Sequence, residues 1–409
     1  LGEQARELGA ICFKQDITAI RLGFHSRRAR LCFFTIGMDE AENIEQSLCL
    51  RERFQMREHT RLYVFSSGAQ SEYLFQEAPA HGIKVRRVNP VRSLIDRTLY
   101  YGGETLFAGA APQPDGTRKI GVVLLGLGQL GTEMLRALPW FCQMDGYDVE
   151  IHAFDRDEDA ESRITALCPE LMDAQHNGVA APGEAHYKIV IHSGVDTAHA
   201  DYPAAIRDIP VITHAFILLG SDEDNIHAAV QLRTLCERRG CHPHIQAKIV
   251  SAAKKDSLSR VTDYRGHAYD IDFFGDLQSS FSESVILGSE LEQEALSRHL
   301  KWGAEPDFWA YEFNYRSSVA TAIHRKMRIF CGIPGSDKRE EDLTPEERGI
   351  IESLEHRRWN AYMRADGYIY SGSRDKKSRN DLGKMHPDLV PFDVLTEEDK
   401  RKDSRIGTV

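Results

Sequence analysis

Short apolar runs alternate with polar, helix-like stretches over most of residues 1–300. The runs 31–36, 120–125 and 149–154 are rich in aliphatic and aromatic side chains. Short runs dominated by apolar residues are typical of strands buried on both faces, as in parallel sheets. Such strands alternating with helices predict the α/β fold class, with doubly wound parallel sheets.

Two stretches, residues 31–51 and 215–233, show the same order of features. Each has an apolar strand, a glycine, an acidic turn, an Asn-Ile pair and a helix that ends in Leu-Arg. A further strand follows each helix, and the period of about 180 residues indicates two copies of one α/β unit. Only the second copy is preceded by a glycine-rich first half. We therefore expect that the first copy lacks its N-terminal half, which lay before Leu1, and that another chain covers the sheet edge this exposes.

A glycine-rich turn follows the apolar run 120–125. Gly126, Gly128 and Gly131 have the spacing G-x-G-x-x-G, and a helical stretch comes next. In a strand-turn-helix unit the first glycine makes the turn, the second lets the backbone approach a pyrophosphate, and the third lets helix and strand pack closely. The helix N-terminus then offers N–H groups and a positive dipole end to the phosphates. The next strand ends in Asp155, which lies 155 − 131 = 24 residues after the last glycine. This is near the sequence separation at which an acidic residue of such units hydrogen-bonds the ribose hydroxyls.

This context predicts a Rossmann-type unit with a nucleotide site, and the expected cofactor is NAD(H) or another adenine nucleotide. The alternative is a glycine turn that preserves the fold but has lost its ligand. Arg156 follows the acidic residue and faces either a 2′-phosphate or the solvent, and the sequence does not decide between the two.

The repeat resembles the Rossmann-type regulator domain of potassium channels and transporters, the RCK or TrkA-N family. The resemblance covers residues 1–300. Residues 15–18 and 194–197 are similar to one turn of the family, and residues 37–43 and 220–225 are similar to another. The resemblance implies a nucleotide crevice lined by Gly126, Leu127, Gly128, Gln129, Leu130, Gly131, Asp155, Arg156, Asp196, Gly220 and Ser221.

The chain departs from the family pattern at three places. Gln15 replaces the usual glycine in the first copy, residues 193–195 lengthen the turn in the second, and a polar insertion occupies residues 166–185. The identity of the ligand does not follow from the resemblance.

The pattern becomes helical from Phe308 onwards. Residues 308–332 carry apolar side chains three and four positions apart, and Thr344 to Glu347 has the sequence of a capping box that begins another helix. Residues 345–403 then resemble the RyR domain of the bacterial type, the repeat named after ryanodine receptors. The matching residues are Glu355, His356, Trp359, Gly367, Tyr368, Arg374, Asp375, Lys384, His386, Pro387, Leu389, Val390, Pro391, Phe392 and Leu395.

Aromatic and arginine side chains are concentrated in this last stretch. Aromatic faces beside guanidinium groups suit a planar anionic ligand such as a nucleotide. The alternative is a small, mostly helical domain whose aromatic residues form its core. The residues expected to form the pocket are Trp359, Tyr362, Tyr368, Tyr370, Arg374 and Phe392.

These patterns divide the chain into five expected segments. They are a partial RCK/TrkA-N-like unit at 1–100, a Gly- and Pro-rich linker at 101–118, a second RCK/TrkA-N-like unit at 119–300, a helical connector at 301–343 and a RyR domain at 344–409.

Composition and charge narrow the class of protein. The net charge is −11 without a long basic block, so binding to nucleic acid through phosphate contacts is not expected. The sequence has no run of 18 or more apolar residues, so neither a membrane span nor a secretory signal is predicted. Eight cysteines without a C-x-x-C pair suit reduced thiols in the cytoplasm.

The sequence contains no recognisable arrangement of catalytic residues. His192 and His214 lie in or beside apolar runs and are expected to be structural, and Cys236 to His244 lacks zinc-site spacing. We therefore expect no catalytic residue and no metal.

The expected protein is a cytoplasmic, oligomeric regulatory module that senses a nucleotide-like ligand. The resemblance implies that it controls a channel or transporter for potassium or another cation, with a membrane part upstream or on another chain. One alternative is an NAD(P)-dependent oxidoreductase, and another is a nucleotide-sensing anti-phage or stress-signalling protein.

Overall fold

The structure is a computed structural model, and it describes residues 6, 7, 9, 16–21, 31–37, 39–76, 82–173, 186–258, 260–287 and 289–408. Gln15 and most of the polar insertion lie outside the described residues. Backbone contacts divide the chain into two units. The first contains Leu1–Pro90 and Ala304–Asn314, and the second contains Val91–Gly303 and Tyr315–Val409.

The first unit holds a three-stranded parallel sheet. Its strands are β1 (Leu31–Thr35), β2 (Thr60–Phe65) and β3 (Lys84–Val88), in that spatial order. The connections are α1 (Glu40–Phe54) and α2 (Ala69–Leu74). The side chain of Asp39 caps α1 by accepting from the N–H of Ala41. The core is made by apolar side chains of β1, α1 and β2, among them Phe33, Leu50, Leu62 and Val64.

The second unit is built on a larger sheet. Its strands are β4 (Ala111–Pro112), β5 (Arg118–Leu125), β6 (Tyr147–Asp155), β7 (Lys188–Ser193), β8 (His214–Ile217), β9 (His244–Lys248) and β10 (Ile271–Phe274). The order β10-β9-β8-β5-β6-β7 is parallel throughout, and only the short β4 pairs antiparallel, with β5. The order reverses at β5, as in doubly wound nucleotide-binding folds.

Helices connect these strands. They are α3 (Pro90–Gly102), α4 (Glu104–Ala108), α5 (Gln129–Phe141), α6 (Ala160–Leu167), α7 (Pro169–Met172), α8 (Asp201–Asp208), α9 (Asp222–Arg239), α10 (Ala252–Leu258), α11 (Leu277–Ser280), α12 (Glu283–Ile286) and α13 (Glu290–His299). The core on one face of the sheet joins Val123, Leu125, Ile217 and Leu232.

The C-terminal part is mostly helical. After α14 (Glu305–Ala310), which belongs to the first unit, it contains α15 (Glu312–Phe330), α16 (Pro345–Ala365) and α17 (Glu397–Gly407), and the two-residue strands β11 (Ile369–Tyr370) and β12 (Met385–His386). The predicted capping box is present at the start of α16, where Thr344 and Glu347 bond each other's backbone N–H groups. Among the described residues, no helix combines the length and apolarity needed to cross a membrane.

The internal repeat is visible in the hydrogen bonds of each unit. Asn43 in α1 accepts from Gly37 N–H at 2.6 Å and donates to the Gly37 carbonyl at 3.1 Å. Asn225 in α9 accepts from Leu219 N–H at 2.7 Å and donates to the Leu219 carbonyl at 3.3 Å. Each asparagine thus closes the loop between a parallel strand and the helix that follows it.

The structure adds detail to two of the expected segments. The expected linker 101–118 contains α4 and β4, and Leu106 and Phe107 are buried. Gly103 is needed for tight packing, since a Cβ there would lie 2.3 Å from the carbonyl oxygen of Leu99. The expected connector 301–343 is divided, because its residues 304–314 belong to the first unit.

Candidate functional site

The C-terminal ends of the parallel strands in the second unit form the candidate site. β5 pairs with β6 on one side and with β8 on the other, so the chain leaves the sheet in opposite directions from β5 and β8. Ligands of open α/β sheets bind in the crevice at this switch point. Gly126, Asp155 and Gly194 come at or directly after the ends of β5, β6 and β7.

The three glycines of the turn meet different surroundings. Gly126 has φ +91°, and a Cβ there would lie 2.8 Å from the carbonyl oxygen of Leu218. A Cβ at Gly131 would lie 1.8 Å from the carbonyl oxygen of Gly126. Both positions therefore need glycine for the fold itself.

Gly128 is different. It is exposed, its φ is −65°, and a Cβ there meets no described atom within 4 Å. It is the N-cap of α5, where the described residues supply no side-chain cap. Neither packing nor backbone conformation requires glycine here, whereas the close approach of a phosphate group would.

Asp155, the last residue of β6, accepts hydrogen bonds from the glycine turn and from its own loop. One carboxylate oxygen accepts from Leu127 N–H at 2.6 Å, and the other accepts from Asp157 N–H at 2.9 Å. A carboxylate has about four acceptor positions, so these two bonds leave capacity for ribose hydroxyls.

Arg163 lies beside the candidate site, although the sequence pattern did not predict it. From α6 it donates to the Leu127 carbonyl at 3.1 Å and pairs with Asp157 at 3.3 Å, next to the turn. A lone arginine in a helix, outside the glycine motif, carries no signal of this position.

The remaining predicted crevice residues have local roles or are exposed. The Oγ of Ser221 caps α9 by accepting from Asp224 N–H at 3.1 Å. Asp196 accepts from Ala198 N–H at 2.8 Å. Gly220, Gln129 and Arg156 are exposed, and Leu130 is half-buried.

The C-terminal part brings some of its predicted pocket residues together. The ring of Trp359 lies 4.8 Å from the ring of His386 and 5.8 Å from that of His356, which is 6.0 Å from the ring of Phe392. Both histidines are among the residues that match the RyR domain, but neither was predicted to line the pocket. Burial lowers the pKa of His386 to about 4.

The other predicted pocket residues lie elsewhere or are already engaged. Tyr362 is buried against Trp140 of α5, with 6.4 Å between ring centroids. Arg374 pairs with Asp388 at 2.6 Å and with Asp399 at 3.2 Å. Tyr368 is buried with its hydroxyl 3.4 Å from Asp381, whereas Tyr370 is exposed.

The histidines of the sheet are packed as structural residues. His192 stacks on Phe154 at 4.1 Å and bonds His152 at 3.1 Å. His214 is fully buried between β5 and β9, and burial lowers its pKa to about 3. Within the described ranges, no group of three or more His, Cys, Asp or Glu side chains could hold a metal ion.

A comparison with protein-family models finds no matching family, and a comparison with curated proteins finds no matching relative. The resemblances to RCK/TrkA-N and RyR domains therefore remain predictions. The fold and the contacts of the site carry the functional argument.

Proposed function

We propose that the protein is a regulatory module that binds a nucleotide in the crevice at Gly126–Gly131 and transmits its presence to the C-terminal part. The observation that carries the proposal is Gly128, whose lack of a side chain the fold does not require. An uncapped helix N-terminus beside a glycine of this kind suits a pyrophosphate.

The same helix contacts the C-terminal part directly. Arg136 of α5 donates to the Ala365 carbonyl at the end of α16 at 2.8 Å, and Trp140 packs on Tyr362. Just after α5, the carbonyl of Gln143 lies 2.5 Å from His324 of α15. A ligand that binds better to one packing of α5 against α16 than to another shifts the population between them.

The proposed output is control of a channel or transporter, which follows from the family resemblance. NAD(H) is the first candidate ligand, and other adenine nucleotides come next. The aromatic cluster around Trp359 is a second candidate site on the same protein.

The test is a thermal-shift and calorimetric screen of NAD, NADH, NADP, ADP, ATP, AMP and cyclic nucleotides. We expect one of them to stabilise the wild type and Gly128→Val to lose at least tenfold in affinity, because its side chain fills the approach of the phosphates. Trp359→Ala is the matched control and should keep the response.

Three other outcomes would redirect the proposal. Unchanged affinity in Gly128→Val would place the ligand elsewhere, and loss of the response only in Trp359→Ala would place it in the aromatic cluster. Turnover of NAD(P)H with a carbonyl substrate, lost in Asp155→Ala, would make the protein an oxidoreductase.

A further inference from the structure

The peptide group between Leu127 and Gly128 is held at its carbonyl end by two donors. The Oγ of Thr132 donates to the Leu127 carbonyl at 3.0 Å, and the guanidinium of Arg163 donates to it at 3.1 Å. A carbonyl oxygen has two lone pairs, so both are in use. One residue of α5 and one of α6 therefore set the direction of this peptide group.

The N–H of Gly128 is the other end of the same peptide group. The bond is trans, and in a planar trans peptide the N–H points away from the carbonyl. Fixing the Leu127 carbonyl thus also aims the Gly128 N–H. Gly128 is exposed, and its N–H meets no acceptor among the described residues. It is the N-cap of α5, so this free donor lies where a phosphate is expected.

Arg163 closes a ring of hydrogen bonds around the turn. Its Nε donates to the carboxylate of Asp157 at 3.3 Å, and the Asp157 N–H donates to the carboxylate of Asp155 at 2.9 Å. The other oxygen of Asp155 accepts from the Leu127 N–H at 2.6 Å. Leu127 is therefore held at its N–H by Asp155 and at its carbonyl by Arg163, and the turn is set before any ligand binds.

The charge of Arg163 adds to this geometric effect. A hydrogen bond from a guanidinium to a carbonyl is charge-assisted and stronger than one between neutral groups. Hydrogen bonds in a chain polarise one another, so a carbonyl that accepts from a cation makes the N–H of its own peptide group a better donor. Arg163 thus favours an anionic acceptor at Gly128 without touching it.

We propose that Arg163 is a positioning residue for the phosphate of the bound nucleotide: by bonding the Leu127 carbonyl, it aims the Gly128 N–H at a phosphate oxygen. The inference rests on the proposed nucleotide site. It adds that the ligand is held in the turn through its phosphate, so that a nucleoside gains nothing from Arg163.

The test compares ADP, which is the part common to NAD and ATP, with adenosine. Calorimetry measures both affinities in the wild type and in Arg163→Ala. We expect the substitution to weaken ADP about five- to tenfold, because the Gly128 N–H loses its fixed direction, and to change adenosine by less than about twofold. The Tm without ligand should change little, since Arg163 is half-exposed and its ion pair lies at the surface.

Two further variants and one spectroscopic measurement separate positioning from a general effect of charge or fold. Arg207→Ala is the matched control, because it removes the same charge from α8, where the side chain bonds the Pro203 carbonyl of its own helix. It should bind ADP as the wild type does. Arg163→Lys keeps a charge and a donor and should recover most of the ADP affinity. At saturating ADP the amide proton resonance of Gly128 should move downfield in the wild type and in Arg163→Lys, but not in Arg163→Ala.

The outcomes distinguish this inference from the proposed function. An unchanged ADP affinity in Arg163→Ala, or equal losses for ADP and adenosine, would overturn the role of Arg163 and leave the nucleotide site in place. If the wild type bound neither ADP nor NAD, the nucleotide site itself would be wrong, and the role of Arg163 would fail with it.

Discussion

At the scale of single residues, the glycine turn contains positions with different physical requirements. Gly126 and Gly131 are fixed by carbonyl oxygens that leave no room for a Cβ, whereas Gly128 faces open space. The sequence motif treats the three alike. Only their surroundings show which of them the fold needs and which a ligand would need.

This difference predicts that two alanine substitutions destabilise the protein to very different extents. Gly131→Ala should lower the free energy of unfolding by roughly 3 kcal/mol, because its Cβ overlaps the Gly126 carbonyl and the turn must move away from α5. Gly128→Ala should lower it by only about 0.5–1 kcal/mol, because its Cβ meets no described atom and the main cost is that alanine is a poorer N-cap than glycine. Urea unfolding of both variants checks this, and equal destabilisation would contradict the assignment of roles.

At the scale of elements, the two copies of the repeat share one device for closing a loop. Asn43 and Asn225 both bond the N–H and the carbonyl of the residue six positions earlier. Both are buried, so the loop depends on their amide groups rather than on water. The asparagine of the repeated Asn-Ile pair therefore has the same structural role in both copies.

Asn225→Ala should destabilise the second unit by about 1–3 kcal/mol, because the Leu219 N–H and carbonyl lose a buried partner. Asn225→Asp keeps the acceptor for the N–H but loses the donor to the carbonyl, so its effect should be intermediate. Hydrogen exchange at the Leu219 amide reports the loop directly. An Asp variant less stable than the Ala variant would contradict this account.

Elements with strong local patterns were predictable. The apolar strands β1, β5 and β6 and the capping box of α16 follow from runs and caps that act over a few residues. The secondary structure of residues 101–118 was not predictable, because glycine and proline occur both in flexible linkers and in tightly packed segments. The contact of Tyr362 with Trp140 could not be predicted, since it joins α16 to α5, which lie far apart in sequence.

At the scale of the whole molecule, several buried or half-buried histidines of the second unit have a lowered pKa. They are His152, His192, His214, His324 and His386. In each case burial is the main cause, because the protein interior disfavours the charged ring. Folding therefore requires these rings to be neutral, and acid opposes it.

The direction in which His214 changes the free energy of unfolding with pH follows from the linkage between proton binding and folding. Its pKa is about 3 in the folded protein and about 6.5 in the unfolded chain, so the unfolded state binds the extra proton between these values. The contribution of His214 to the free energy of unfolding is complete above pH 6.5 and is lost as the pH falls, by roughly 1.4 kcal/mol per pH unit.

His214→Gln should thus reduce the slope of unfolding free energy against pH between 6 and 4 by the equivalent of about one bound proton. His242→Gln, at an exposed surface position, should leave the slope unchanged. Urea unfolding at several pH values measures the slope, which is independent of any constant destabilisation by the substitution. If both variants kept the wild-type slope, the acid sensitivity would arise from the other buried histidines.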